Sequence, residues 1–266
     1  MLDFLFRKKN KSASSAQTVQ NNGDKLEGTN AFQLVPYGNC KADGADVFAQ
    51  VMTVADCHGK LMMKEVEDLV QKHGIPAIVF FLGDNTVDDA ECVLEVLRTK
   101  NDKKAMPPMF GVVGNHDSWG FYERKQFVEI HALHFSGRTR FPSYTEIPEN
   151  FSISGIGGSI RYTDSSVRAM LTNEESVELL NASHLLDNAG YEDVLIAHSN
   201  PCFEAPERIT SHSGLLGIGE YIKKCHPQIV LHGHLHERYI KWYGDTIIRC
   251  CYGVECFEIG IKSRGR

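Results

Sequence analysis

The chain has 266 residues, 42% of them hydrophobic, enough to bury one large core or two small ones. Its formal net charge of −6 gives no basic footprint for bulk nucleic-acid binding. No apolar run approaches the roughly 20 residues that a membrane-spanning helix needs.

Residues 1–45 read as a flexible polar leader and linker. Met1-Leu2-Asp3-Phe4-Leu5-Phe6 is apolar, Arg7-Lys8-Lys9 and Lys11 are basic, and 12–30 is rich in Ser, Asn, Gln and Gly. Residues 1–11 have the composition for weak contact with an anionic membrane surface or a partner, and they lack the h-region of a signal peptide. The eight cysteines are scattered, and Cys250-Cys251 are adjacent in sequence. That pattern, without a signal peptide, leads us to expect reduced thiols and a cytoplasmic protein. No CxxC spacing accompanies Cys251 and Cys256, so a structural zinc site is not expected.

From residue 46 to 266 the pattern is that of one domain. Residues 47–54 are mostly apolar and end in Asp56-Cys57-His58-Gly59. Leu61-Met62-Met63, Val66 and Leu69-Val70 recur at helical spacing until His73-Gly74-Ile75-Pro76 stops them. Ala77-Ile78-Val79-Phe80-Phe81-Leu82 suits a strand buried on both faces, and it ends in Gly83-Asp84-Asn85. A helix is predicted over 87–100. The next apolar run, 109–113, ends in Gly114-Asn115-His116-Asp117.

The middle, 121–160, is less regular. Gly155-Ile156-Gly157-Gly158-Ser159 is not followed by a helix, so it reads as a tight turn or close backbone packing rather than a phosphate-cradling loop. An amphipathic helix is predicted over 173–186. Val194-Leu195-Ile196-Ala197 then ends in His198-Ser199-Asn200-Pro201, and after a helix over 215–225, Ile229-Val230-Leu231 leads into His232-Gly233-His234-Leu235-His236. A hairpin turning at Tyr243-Gly244-Asp245 and a last strand over 256–261 complete the chain.

Five apolar strands thus end in Asp, Asn or His. Ligands of open α/β sheets collect at that edge. The mixture of imidazole, carboxylate and one amide suits a pair of divalent ions, Mn first, with Fe, Zn, Co and Ni within range, rather than Ca. A single carboxylate with one oxygen for each ion would let the two sit close together. His232 alternates to the opposite face from His234 and is expected in the core or behind the ligands. Cys57 is expected to pack rather than react, and Asp117 to support its loop.

The ordered set Asp56-x-His58, Gly83-Asp84, Gly114-Asn115-His116-Asp117, His198 and Gly233-His234-x-His236 resembles the calcineurin-like metallophosphoesterases, over about residues 47–260. The resemblance implies an α/β fold, a four-layer αββα sandwich of two mixed sheets with flanking helices. It also implies a dinuclear metal centre in which Asp56, His58 and His236 hold one ion, Asn115, His198 and His234 the other, and Asp84 bridges them. His116 resembles the family's catalytic His, the proton donor to the leaving group.

The expected activity is hydrolysis of phosphate mono- or diesters of a small or nucleotide-like substrate by a metal-activated water. The alternatives are a nuclease acting on short nucleic acid and a catalytically weak binding or scaffold protein of the same fold. Gly83-Asp84-Asn85-Thr86-Val87-Asp88-Asp89 lacks the Arg of the related protein phosphatases, so the substrate must be gripped from elsewhere. Asn85, His212, Arg161 and Arg238 are the candidates, with Ser213 as a helix cap the simpler use of the His212 segment.

Overall fold

Strand and helix signals resolve, in chain order, into β1 (Gln33–Val35), β2 (Cys40–Lys41), β3 (Val47–Ala55), α1 (Met63–His73), β4 (Ile78–Phe81), α2 (Val87–Lys100), β5 (Met109–Gly111), β6 (Ile130–Ala132), β7 (Thr139–Arg140), β8 (Ser152–Ile156), β9 (Ser159–Ile160), β10 (Met170–Leu171), α3 (Asn173–Ala182), β11 (Val194–Ala197), α4 (Leu216–Cys225), β12 (Ile229–His232), β13 (Tyr239–Tyr243), β14 (Thr246–Cys250) and β15 (Gly253–Ile261). The computed structural model describes residues 33–101, 106–133, 139–140, 152–164, 168–182 and 193–262. The contact segment expected at 1–11 lies outside these residues.

Two mixed sheets form, in the orders β2-β15-β3-β4-β5-β6 and β1-β13-β14-β12-β11-β8-β7. The first pairs β3, β4, β5 and β6 in parallel, and the second does the same with β14, β12, β11 and β8. Alternation of side chains gives each sheet two apolar faces. Val51, Ile78, Phe80 and Phe110 of the first meet Ile153, Val194, Ile196, Ile229 and Ile247 of the second in a shared core. On the outer face of the first sheet, Val79, Phe81 and Met109 pack with Val66 and Val70 of α1 and with Val93, Leu94 and Leu97 of α2. On the outer face of the second, Leu195, Val230 and Ile248 pack with Ile218, Tyr221 and Ile222 of α4. The result is the expected αββα sandwich.

Strand register sets where the polar ends fall. Val54 lies beside Phe81, and Phe81 beside Gly111, so β3, β4 and β5 end level with one another. Ala197 pairs with His232 in the same way. The polar residues that follow each strand are therefore delivered to one edge.

Part of the segment placed in the leader belongs to the sheets. β1 pairs antiparallel with β13, and β2 pairs parallel with β15. Between them, Tyr37 donates a hydrogen bond to the Glu255 carboxylate and its ring covers the Arg249 guanidinium, which also donates to the Gly38 carbonyl. Arg249 is buried and completes its pairing with Glu255 at 2.9 Å. A boundary at residue 46 cuts through these contacts.

Ser213 does not cap α4. Its hydroxyl accepts the Thr210 amide hydrogen within its own loop, and the first amides of α4 are satisfied by Asn173 Oδ1 and Ser176 Oγ of α3, each at 3.0 Å.

Candidate metal centre

The backbone leaves ordinary strand geometry where the ligand candidates stand. Among the described residues, six non-glycine positions have φ in the left-handed region, and five of them are Asp56 (54°), His58 (50°), Asp84 (53°), His234 (72°) and His236 (54°). Such conformations are disfavoured for side chains with a Cβ and persist only where the surroundings fix them. Gly83, at φ 90°, shows how tightly this edge is built: a Cβ there would lie 2.6 Å from the Gly114 nitrogen and from His198 Nδ1.

Two groups of ligand atoms result. Asp56, His58 and His236 form one, and Asp84, His198 and His234 form the other, with the atoms of each group within 4.8 Å of one another. Asn115 belongs with the second, its Oδ1 3.0 Å from His198 Nε2. Asp84 lies between the groups. Its Oδ2 is 3.5 Å from His198 Nε2 and 4.0 Å from His58 Nε2, whereas its Oδ1 accepts the His116 amide hydrogen at 2.7 Å. One oxygen faces both groups, rather than one oxygen for each.

The hydrogen-bond logic of the second group shows that its residues fit a cation. His198 Nδ1 is 2.8 Å from the Leu82 carbonyl, which only accepts, so Nδ1 carries the hydrogen and a neutral ring presents a lone pair at Nε2. His234 Nε2 is 2.6 Å from the Ser211 carbonyl, which likewise leaves a lone pair at Nδ1. These two lone pairs face each other at 3.1 Å, with the Asn115 and Asp84 oxygens beside them. Four electron-rich atoms converge on one point. Ligand atoms about 3 Å apart are what a divalent ion bound at roughly 2.1 Å imposes. Backbone carbonyls behind the imidazoles are the usual device for fixing ligand tautomers.

Charge and burial act differently on the two rings. Burial, helped by the neighbouring His198, pushes His234 down to about 3 and keeps its ring neutral. Burial also pushes His198 down, but the carboxylates of Asp84 and Asp56 outweigh it and leave the ring above its ordinary value. Burial raises Asp56. Asp56 Oδ2 accepts the His234 amide hydrogen at 2.8 Å, while the buried Oδ1 has no hydrogen-bond partner and lies 3.7 Å from His236 Nε2. A buried carboxylate oxygen without a donor is itself a place for a cation.

His116 stands beside the ligands with its side chain 48% exposed, Nε2 3.8 Å from Asp84 Oδ2 and its ring edge-on to His58. Asp117 supports the edge as expected: its Oδ2 accepts the Asp84 amide at 2.9 Å and the Gly114 amide at 2.8 Å. Burial nevertheless pushes its carboxyl up to about 7. His232 is fully buried, held by the Gly233 carbonyl and the Tyr239 hydroxyl, and burial lowers it to about 4. Cys57 packs in the outer core.

The candidates for gripping substrate fare differently. Exposed His212 sits at the site, its ring 5.2 Å from that of His234. Asn85 does not: it is buried and donates to the Val54 carbonyl, because the left-handed turn at Asp84 sends the next side chain back into the protein. Arg161 is held by both carboxylate oxygens of Glu175, and Arg238 by Glu255 and the Tyr252 carbonyl. Asp89, the last residue of the segment that lacks the phosphatase Arg, is a structural clamp. Its buried carboxylate accepts the Gly59 and Leu61 amides at 2.6 and 3.0 Å and caps α2 through Thr86.

Fold and site together define an αββα sandwich with two groups of possible metal ligands at one edge of its sheets. The sequence model of the calcineurin-like phosphoesterases matches residues 49–238, and the chain belongs to that family. No curated protein matches it. Among solved structures, TT1561 of Thermus thermophilus is similar at a TM-score of 0.55 and 15% identity, covering 78% of this chain and 90% of the other. A phosphopantetheinyl hydrolase from Mycobacterium tuberculosis gives 0.48 and 14%, covering 77% and 89%. The first likeness supports the fold. No helix among the described residues is long and apolar enough to cross a membrane.

Proposed function

We propose that the chain hydrolyses phosphate mono- or diesters of small, nucleotide-like molecules. Asp56, His58 and His236 would hold one divalent ion, Asn115, His198 and His234 a second, and Asp84 Oδ2 would serve both, with Mn²⁺ proposed among the ions that this mixture of imidazole, carboxylate and amide accepts. Bound ions of this kind polarise phosphoryl oxygens and bring the pKa of water towards neutrality. The residues around them supply orientation and a proton. The Leu82 and Ser211 carbonyls lock the two imidazole tautomers, and Asp117 holds the Asp84 and Gly114 amides so that both strand ends keep their aim. His116 is exposed and off the ligand set, with Nε2 directed to the same space, so its protonated ring is placed to hand a proton to the departing alkoxide.

A cleft of about 520 Å³ opens next to Asp56, lined in part by Lys60, Leu61, Arg238, Tyr252 and Val254. Glu65, Asp68 and Lys72 also line it, so its charge is mixed, and Leu61, Tyr252 and Val254 offer apolar and aromatic surface to the organic part of a small ester.

The observation that carries the reading is the meeting of the His198 and His234 lone pairs with two oxygens at one point. The test is a screen of the purified protein with Mn²⁺ against aryl phosphate monoesters, diesters and nucleotides, alongside elemental analysis. Cleavage that disappears with chelation and returns with Mn²⁺ is expected. Bound metal with no ester cleaved under any divalent ion would overturn it.

A further inference from the structure

With Arg161 and Arg238 committed elsewhere and no Arg after Asp84, the site needs another cation for an anionic substrate. Arg168 supplies one. Its Nη1 donates to the Tyr162 hydroxyl oxygen at 3.2 Å, and the same oxygen accepts from Asn115 Nδ2 at 3.3 Å. Among the described residues no carboxylate lies within ion-pair distance of the Arg168 guanidinium.

The backbone holds this pair in place. The Ala169 amide, next in the chain, donates to the Asp117 carbonyl at 3.3 Å, and the Ala169 carbonyl accepts from Ser159 at 3.2 Å. Gly158 at φ 77° lets the two segments approach, since a Cβ there would lie 2.7 Å from the Ala169 oxygen. β9 and β10 pair beyond this point. Tyr162 and Arg168 therefore flank the Asn115-His116 turn on a fixed frame.

A phenol has two acceptor lone pairs and one hydrogen. Asn115 and Arg168 both donate to this oxygen, which leaves the Tyr162 hydrogen free to donate. Arg168 uses one of its five N–H groups here and keeps the remainder of its fork.

We propose that Arg168 and Tyr162 form the phosphoryl-oxygen binding arm of the site, with Arg168 carrying the charge recognition and Tyr162 adding a neutral donor while holding the Asn115 amide with its oxygen towards His198. The ligand class is a phosphate monoester or orthophosphate, whose peripheral oxygens match the guanidinium fork. The inference rests on the proposed phosphoesterase activity.

The experiment measures orthophosphate binding to the Mn²⁺-loaded full chain by calorimetry, with metal content by elemental analysis, for wild type, Arg168→Ala, Arg168→Lys and Tyr162→Phe. Arg168→Ala should weaken orthophosphate by about tenfold or more with metal content unchanged, the size expected for one charge-assisted interaction. Arg168→Lys should recover part of that loss. Tyr162→Phe should weaken orthophosphate and also lower Mn²⁺ affinity, because Asn115 loses its hydrogen-bond partner. In kinetics with an aryl phosphate, the Arg168→Ala effect should appear mainly in KM. Wild-type orthophosphate affinity in Arg168→Ala, or metal lost from it, would overturn the arm while wild-type turnover leaves the hydrolase reading standing. Absence of turnover in the wild type would count against the hydrolase reading alone, since the calorimetric difference still decides the role of Arg168.

Discussion

His198 Nε2 and His234 Nδ1 face each other at 3.1 Å with their opposite ring nitrogens bound to backbone carbonyls. Two lone pairs in that arrangement repel unless a metal ion or a proton sits between them, and the metal is the proposed occupant. Stripping divalent metal should therefore lower the unfolding temperature, and Mn²⁺ should restore it in proportion to its concentration. At 100 times the dissociation constant the gain is about 2.7 kcal/mol. Thermal unfolding with chelator and with graded Mn²⁺ measures it, and a midpoint indifferent to metal would contradict the arrangement.

His116→Asn tests the proton donor. The ring is exposed and outside both ligand groups, so metal content should stay at the wild-type level. Turnover of an ester with a poor leaving group should fall by about 10²–10⁴-fold, the usual contribution of a positioned acid. Unchanged turnover would remove His116 from that role.

Asp84→Ala addresses the oxygen shared between the groups. Its loss takes a ligand atom from both, and elemental analysis should show both ions lost or reduced. Retention of two ions per chain would refute the bridging assignment.

Asp89→Ala probes a residue with no ligand role. Two backbone amides of the loop after His58, and the Thr86 amide and hydroxyl at the start of α2, lose their acceptor together. Urea unfolding should show a loss of about 2–4 kcal/mol, and the affinity of the His58-containing group should fall with it. Stability equal to wild type would mean that the loop finds other partners.

The two edge strands within residues 33–41 predict how the chain tolerates trimming. A protein starting at residue 31 should unfold close to the full-length chain. One starting at residue 46 loses β1, β2 and the Tyr37 and Gly38 contacts of buried Arg249, and it should melt at a lower temperature or aggregate through the uncovered sheet edges. Equal melting curves would return residues 33–41 to the leader.

What can be read in the sequence is what repeats. The apolar strands, their alternation into two faces and the Asp, Asn and His at their ends follow a period or a motif, and the backbone at Gly157-Gly158 does pack closely, against Val113 and Ala169. The features that escape sequence reading have other causes. β1 and β2 are three and two residues long and carry no period. Asn85 neighbours Asp84 in the chain, but the left-handed turn between them separates their directions. Tyr162 and Arg168 reach Asn115 only through the pairing of β9 with β10, a relation that no local spacing encodes. The clamp role of Asp89 escapes sequence reading because it works on backbone amides 28 and 30 residues away.

The left-handed conformation at five candidate ligand positions also makes this strand edge recognisable without side-chain chemistry. A trace of backbone angles alone, with every residue name erased, would show a row of non-glycine positive-φ positions just beyond the ends of two strands of one sheet and one of the other. Relatives too diverged for motif matching could be sorted by that dihedral signature. A chain that kept the fold but relaxed those angles would lose the convergence of these side chains, even where some of the histidines survive.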